Sequence, residues 1–160
     1  MDVPTDRPPY VAALEAVYGP ASEAGFGSAV FWRPMATEGD LASEALVTYR
    51  LFVGPLWDRY GEDAWMGPWR RVVQRTAGDT RDVIGALLAI EDPDARRSVS
   101  LVLEIGDDQA KVEGALRAAF DAEAVTSLDV YNIGDGGAMS GLLLAAAREG
   151  HVIALVTLMD

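Results

Sequence analysis

GALLAIEDPDARRSVSLVLE, Gly85–Glu104, and GLLLAAAREGHVIALVTLMD, Gly141–Asp160, share one form: an apolar run, a polar turn, a second apolar run. Read as two strand pairs, they supply most of a sheet. The first copy pairs Val83–Ile90 with Ser98–Ile105 through EDPDARR, where Asp92-Pro93-Asp94 is favourable turn chemistry. SVSLVLEI alternates Val99, Leu101 and Leu103 against Ser100, Val102 and Glu104, the period of a strand. Val83–Ile90 reads as a strand, with a helix as the alternative, because Val83, Ile84, Leu87 and Leu88 also make one stripe. The second copy closes a hairpin, about Ser140–Ala147 with His151–Met159, around Arg148-Glu149-Gly150.

Between the copies, QAKVEGALRAAFDAE reads as a helix capped by Asp107 or Asp108. Val112, Ala115, Leu116, Ala119 and Phe120 form its inner stripe, and Lys111, Glu113, Arg117 and Asp121 stay outside. VTSLDVYNI, Val125–Ile133, is the next strand, and GDGG, Gly134–Gly137, turns the chain.

Upstream, Met1–Pro9 is polar, holds three prolines and is expected to be a mobile arm. PYVAALEAVYG predicts a short helix with Ala13, Leu14, Val17 and Tyr18 inward, stopped by Gly19-Pro20. SAVFW, Ser28–Trp32, predicts a strand ended by Pro34. Thr37 would cap a helix in which Leu41, Ala45, Tyr49 and Phe52 share one side and Ala42, Leu46 and Val53 another. The β-rich tail VTYRLFV leaves a strand open there. Gly54-Pro55 breaks the chain. Pro68 then suits the first turn of a helix through Arg75, with Trp69, Val72, Val73 and Thr76 facing one way.

From Arg70 the expected order is helix-β-β-α-β-β-β. That is α+β, with an antiparallel sheet of about five strands, helices on one face and a helical N-terminal extension. The order is similar to that of profilin-like and roadblock-like folds, a likeness of fold alone, carried by no sequence motif. The expected organisation is an arm, 1–9, and one globular domain, 10–160, with residues 10–78 mainly helical and 79–160 forming the sheet.

Half of the 160 residues are hydrophobic, enough for a core. No apolar run reaches membrane-spanning length, since Arg148–His151 interrupt the longest. The start, MDVPTDRPPY, lacks the basic and apolar regions of a secretory signal. With no cysteine, disulfides, thiolate nucleophiles and zinc–thiolate sites are excluded. A cytoplasmic protein without a cofactor is expected. Twelve of thirteen basic residues are Arg, as in a GC-rich bacterial coding sequence. The net charge of −12 argues against nucleic acid and permits a basic partner.

Four features are site-like. The loop IGDGGAMSG, Ile133–Gly141, is a turn that also allows a ligand close to the backbone at Gly134, Asp135, Gly136 and Gly137. It has neither the Lys-Ser/Thr of a P-loop nor GxGxxG spacing. His151, the single histidine, would be a general base only with Ser140 or Asp135 beside it across the hairpin. Glu104–Asp135 carries eight acidic residues against Lys111 and Arg117, with Asp107, Asp108 and Glu113 prominent. Trp57, Trp65 and Trp69 fall within thirteen positions, with Arg70 and Arg71 adjoining, and read as a core lid or as interface anchors.

The expected function is a non-catalytic intracellular protein–protein interaction module, a regulatory adaptor or an immunity-type inhibitor. It would bind another protein, basic if met by the acidic face, or use the Trp/Arg segment. The alternative is a small-ligand binder or enzyme using residues 133–141. A third reading is a homodimer paired through HVIALVTLM as an edge strand.

Overall fold

The computed structural model describes residues 7–35 and 40–159. Its strands are β1 (Gly27–Pro34), β2 (Arg70–Thr76), β3 (Val125–Gly134), β4 (Ser140–Arg148) and β5 (His151–Met159). Its helices are α1 (Pro9–Tyr18), α2 (Leu41–Val53), α3 (Leu56–Tyr60), α4 (Glu62–Met66), α5 (Val83–Leu88), α6 (Pro93–Leu103) and α7 (Gln109–Phe120). The strands form one sheet in the order β1-β5-β4-β3-β2, each neighbouring pair antiparallel. The architecture is α+β, with the five-stranded antiparallel sheet that the sequence implies.

Helices cover both faces of the sheet, not one. On the first face α1, α5, α6 and α7 enclose a largely aliphatic core around Leu14, Leu87, Leu116 and Leu128. On the second, α2, α3 and α4 enclose an aromatic one around Tyr49, Phe52, Trp57, Trp65 and Tyr131. Double cover explains the unbroken apolar runs in β4 and β5. A side chain on either side of a central strand meets core, so period-two alternation disappears. β4 and β5 also approach closely. A Cβ added to Gly141 would stand 1.7 Å from the Thr157 carbonyl oxygen, so this position admits only glycine.

α7, β3 and the β4–β5 hairpin fall where the sequence places them. Asp108 caps α7, accepting from the Lys111 N–H, and its buried residues are the expected five. Two of the expected strands are helices instead. Val83–Ile90 contributes α5, and Ser98–Ile105 lies largely in α6. Asp82 caps α5 through the Gly85 N–H. Asp92 caps α6 through the N–H groups of Asp94 and Ala95, with Pro93 in its first turn. The Asp-Pro-Asp motif is therefore a helix start, not a hairpin turn. Over eight residues the two periods overlap: Val99 and Leu103 are buried in α6 and also fit strand alternation. Without those strands, the profilin-like and roadblock-like order is not the observed one.

The sheet is completed by β1, which holds the predicted strand Ser28–Trp32, and by β2, both from the part expected to be mainly helical. The predicted helix Pro68–Arg75 is strand β2 from Arg70 onward. A register shift between Arg71 and Val73 lets Val72 and Val73, adjacent in sequence, both pack on the aliphatic core, imitating a helical stripe. Their β-branching favours the strand. α1 forms as predicted, but Ala13 is exposed and Tyr10 and Val11 are buried instead. α2 is capped by Asp40 through the Ser43 N–H, and Ala42 is exposed. Thr37 lies outside the described residues.

β5 lies between β1 and β4, inside the sheet. It is not an edge, which rules out a homodimer paired through HVIALVTLM. Val152 and Leu155 are fully buried. No helix among the described residues is long and apolar enough to cross a membrane.

Three arginines converge on the C-terminal end of α7. Arg75 of β2 donates to the Phe120 carbonyl and pairs with Asp121 at 2.7 Å. Arg81 donates to the carbonyls of Ala122 and Val125, both at 2.7 Å. Arg148 of β4 donates to those of Ala118 and Ala119 while its guanidinium lies 3.6 Å from the centre of the Tyr10 ring. Arg75 and Arg148 satisfy carbonyls that the helix leaves unpaired, Arg81 holds the turn into β3, and all three oppose the negative end of the helix dipole.

Candidate functional site

β2 is an edge of the sheet, paired only with β3. Its outer side is short. The Thr76 N–H is taken by Asp79 Oδ2 at 2.8 Å, so Thr76 points away from β3. By antiparallel alternation the Gln74 N–H and C=O point outward as well. The ladder surface open to a new strand is thus the stretch around Val72–Gln74.

A cavity lies on each side of this stretch. On the aliphatic side a groove of about 550 Å³ runs between Val72, Val73 and Gln74 and the end of α5, with Ala86, Ala89 and Ile90 on the far wall. Leu88, at the end of α5, is 63 % exposed. On the aromatic side a cleft of about 200 Å³ opens between Gln74 and the first turn of α2, with Ser127 and Asp129 also lining it. Arg71 lines both cavities.

Asp129 is buried in the second cleft. Its Oδ2 accepts from the Tyr131 hydroxyl at 3.0 Å and lies 3.8 Å from Arg71 Nη1. Burial pushes its carboxyl above the usual range, against the opposing effects of Tyr131 and Arg71. Trp69 stacks on Tyr131 at 4.2 Å and on Tyr49 at 5.2 Å, which fixes this corner. Arg70 faces another way. It bonds Asp92 through Nε and Nη2, and Asp94 at 3.0 Å. Its hydrogen bonds, first among the causes, hold the Asp92 carboxyl down at about 2.

The predicted site residues separate. Trp57 and Trp65 are 5 % and 1 % exposed and fill the aromatic core, so they are lid residues and not interface anchors. Trp69, Arg70 and Arg71 lie at or beside the β2 edge. The glycine loop closes on itself: Asp135 Oδ1 accepts from the N–H groups of Gly137 and Met139, and the Tyr49 hydroxyl accepts from the Gly134 N–H. The Gly134 carbonyl accepts from the same hydroxyl, and Gly136 lies over the Ala64 carbonyl. Neither cavity beside β2 is lined by this loop.

His151 is not near Ser140 or Asp135. It pairs with Arg148 at the turn, whereas Ser140 pairs with Met159 at the other end of the hairpin. Eight residues of strand separate them by roughly 26 Å. His151 instead stacks on Trp32 at 4.3 Å. The eight acidic residues of Glu104–Asp135 do not make one face either. Asp121 is tied to Arg75, Asp129 lies in the aromatic-side cleft and Asp135 holds the glycine turn. Asp107 is exposed and Asp108 caps α7, while Glu113 engages Gln109 and Arg117 on the same helix.

Sequence reading singled out Arg71 and missed Asp129 and Gln74. The signal for Asp129 was available: it is the only charged residue in the apolar run Val125–Ile133, where strands disfavour aspartate. Comparison with known protein families, with curated proteins and with solved structures finds no match.

Proposed function

We propose that this protein is a non-catalytic binding module that captures another protein at the edge of β2. The observation that carries the reading is the open ladder stretch at Gln74 with a cavity on either side. An extended chain added there gains main-chain hydrogen bonds from the strand. Its side chains point alternately to the two faces, and a recess waits on each. Natural sheets usually blunt an exposed edge with charge, proline or a covering loop. β1 is blunted in this way: Val30 N–H is bonded to the Gly19 carbonyl, and the strand ends at Pro34. Among the described residues no loop or proline covers the middle of β2, although arginines flank it and a register shift interrupts it between Arg71 and Val73.

The test is photo-crosslinking from a reactive residue at Ala89, which is exposed in the groove wall. In lysate of the source cells, discrete protein adducts are expected. They should vanish when Gln74→Pro is added, because proline removes the outward N–H while an edge strand tolerates it. Circular dichroism and melting establish that the variant is folded. Adducts indifferent to Gln74→Pro in a folded protein, or no adducts at all, sink the reading.

A further inference from the structure

The cleft on the aromatic side of β2 is balanced in charge but uneven in what is still free to bond. Two carboxylates, Asp40 and Asp129, line it with two guanidiniums, Arg71 and Arg75. Neither sign is in excess, so the cleft selects no net charge in an occupant. Asp40 is spent on the head of α2, where its two oxygens accept from the Ser43 N–H and hydroxyl. Arg75 is spent on Asp121 and the Phe120 carbonyl. Arg71 and Asp129 keep capacity. Their ion pair spans 3.8 Å, beyond hydrogen-bond reach. The Asp129 side chain is 6 % exposed, and its bond to the Tyr131 hydroxyl uses Oδ2 alone. Its Oδ1 has no partner among the described residues, and neither have the Gln74 amide and the Ser127 hydroxyl in the same cleft.

A buried acceptor beside a donor complements a group that carries both. A carboxamide does: its NH₂ donates to Asp129 Oδ1 while its carbonyl accepts from Arg71. A carboxylate of the same shape brings a second acceptor against Asp129, and an ammonium brings only donors against Arg71. An apolar side chain leaves Asp129 and Ser127 dry and unpaired.

Gln74 stands opposite Asp129 in the ladder, and directly opposed residues share a face. A residue set opposite Gln74 on an added strand therefore also projects toward the cleft. Two strand spacings, roughly 10 Å, part it from β3, which favours the longer glutamine over asparagine. A second copy of this chain, paired about Gln74, would set Val72 against Thr76. The Thr76 N–H and carbonyl are already bonded to Asp79, so that pairing gains little.

Resting on the reading that the β2 edge receives a strand, we propose that the captured segment of another protein carries a glutamine opposite Gln74, and that its carboxamide is bound in the cleft between Arg71 and Asp129.

The probes are capped octapeptides that alternate valine with serine, the valines facing the groove wall of Ala86, Ala89 and Ile90. One central serine is replaced by glutamine, glutamate, lysine or methionine. Affinity is read by fluorescence anisotropy, and the place of binding from the backbone amide shift of Gln74. The glutamine peptide is expected to bind about tenfold more tightly than the other three. Asp129→Asn separates the cleft from the edge. The Tyr131 hydroxyl holds the side-chain oxygen, an NH₂ group takes the place of Oδ1, and the cleft offers a donor where it had an acceptor. This variant, shown by its melting to be folded, should no longer favour glutamine. If another peptide binds as tightly as the glutamine one while the Gln74 amide shifts, the carboxamide assignment is wrong and the edge reading survives. If no peptide shifts that amide, both fall. If folded Asp129→Asn still favours glutamine, the carboxamide is met elsewhere and the assignment to this cleft is overturned.

Discussion

One face of the sheet carries a largely aliphatic core and the other an aromatic one, and the two are finished differently. The aliphatic face is closed at its ends by arginines that reach helix carbonyls and by Asp121, which also accepts from the Val83 N–H at the head of α5. The aromatic face is held at its centre. There the Tyr49 hydroxyl bridges the Trp65 and Gly134 backbones, and Arg33 of β1 clasps Glu44 and Thr48 of α2. Its helices do not reach the start of β3, so Ser127 and Asp129 line a cleft instead of a core. The aliphatic face keeps a groove of about 550 Å³ beside β2, and the aromatic face keeps a smaller corner free, about 200 Å³.

The contrast is broken most severely at the rim. Arg75→Met strands the Asp121 carboxylate in a nearly dry setting, and a loss of about 3–5 kcal/mol is expected from chemical denaturation. Adding Asp121→Asn should recover a large part of it, because the cost comes mainly from the unpaired charge. If the double variant is no better than the single one, the rim is held by shape and not by charge.

Tyr49→Phe tests the middle of the aromatic face. It leaves the Gly134 N–H and two carbonyls without their hydroxyl partner, at an expected cost of about 1–3 kcal/mol. Amide exchange should quicken at Gly134 and around the glycine turn, with α7 unaffected. Uniform quickening on both faces would contradict the separation drawn above.

The smallest effect is at the free corner. Burial holds the Asp129 carboxyl above its ordinary value, so its contribution to stability is present at low pH and lost as pH rises through the folded value. Asp129→Asn should therefore gain on the wild type in melting temperature from about pH 4 upward. A variant that loses ground with rising pH would mean that the pairing with Arg71 outweighs desolvation. Asp92 has the opposite sign. Held at about 2, it supports the fold above its unfolded value and ceases to do so as pH falls toward 2.

The second half of the chain was readable because α7 and the β4–β5 hairpin obey local rules. Asp108 caps, five residues make one stripe, and Arg148-Glu149-Gly150 reverses two apolar runs. Residues 83–105 misled because α5 and α6 are short enough for Val99 and Leu103 to suit either period. β2 misled for a different reason. Its partner lies some fifty residues onward, and the register shift at Val72 puts two neighbouring valines on one side. The candidate site was legible only as Arg71. An edge flanked by two cavities depends on which strand ends up outermost, and that is decided by pairings far apart in sequence.

β5 follows the other four strands in sequence and yet lies inside the sheet, with β1 on one flank and β4 on the other. During synthesis the ribosome delivers β1 long before the strand that must sit beside it. Until residues 151–159 emerge, β1 has no partner strand, although β4 already offers a floor to α6 on one side and α2 on the other. The nascent chain can therefore order the β2–β3–β4 part of the sheet first, and β5 then joins β1 to it.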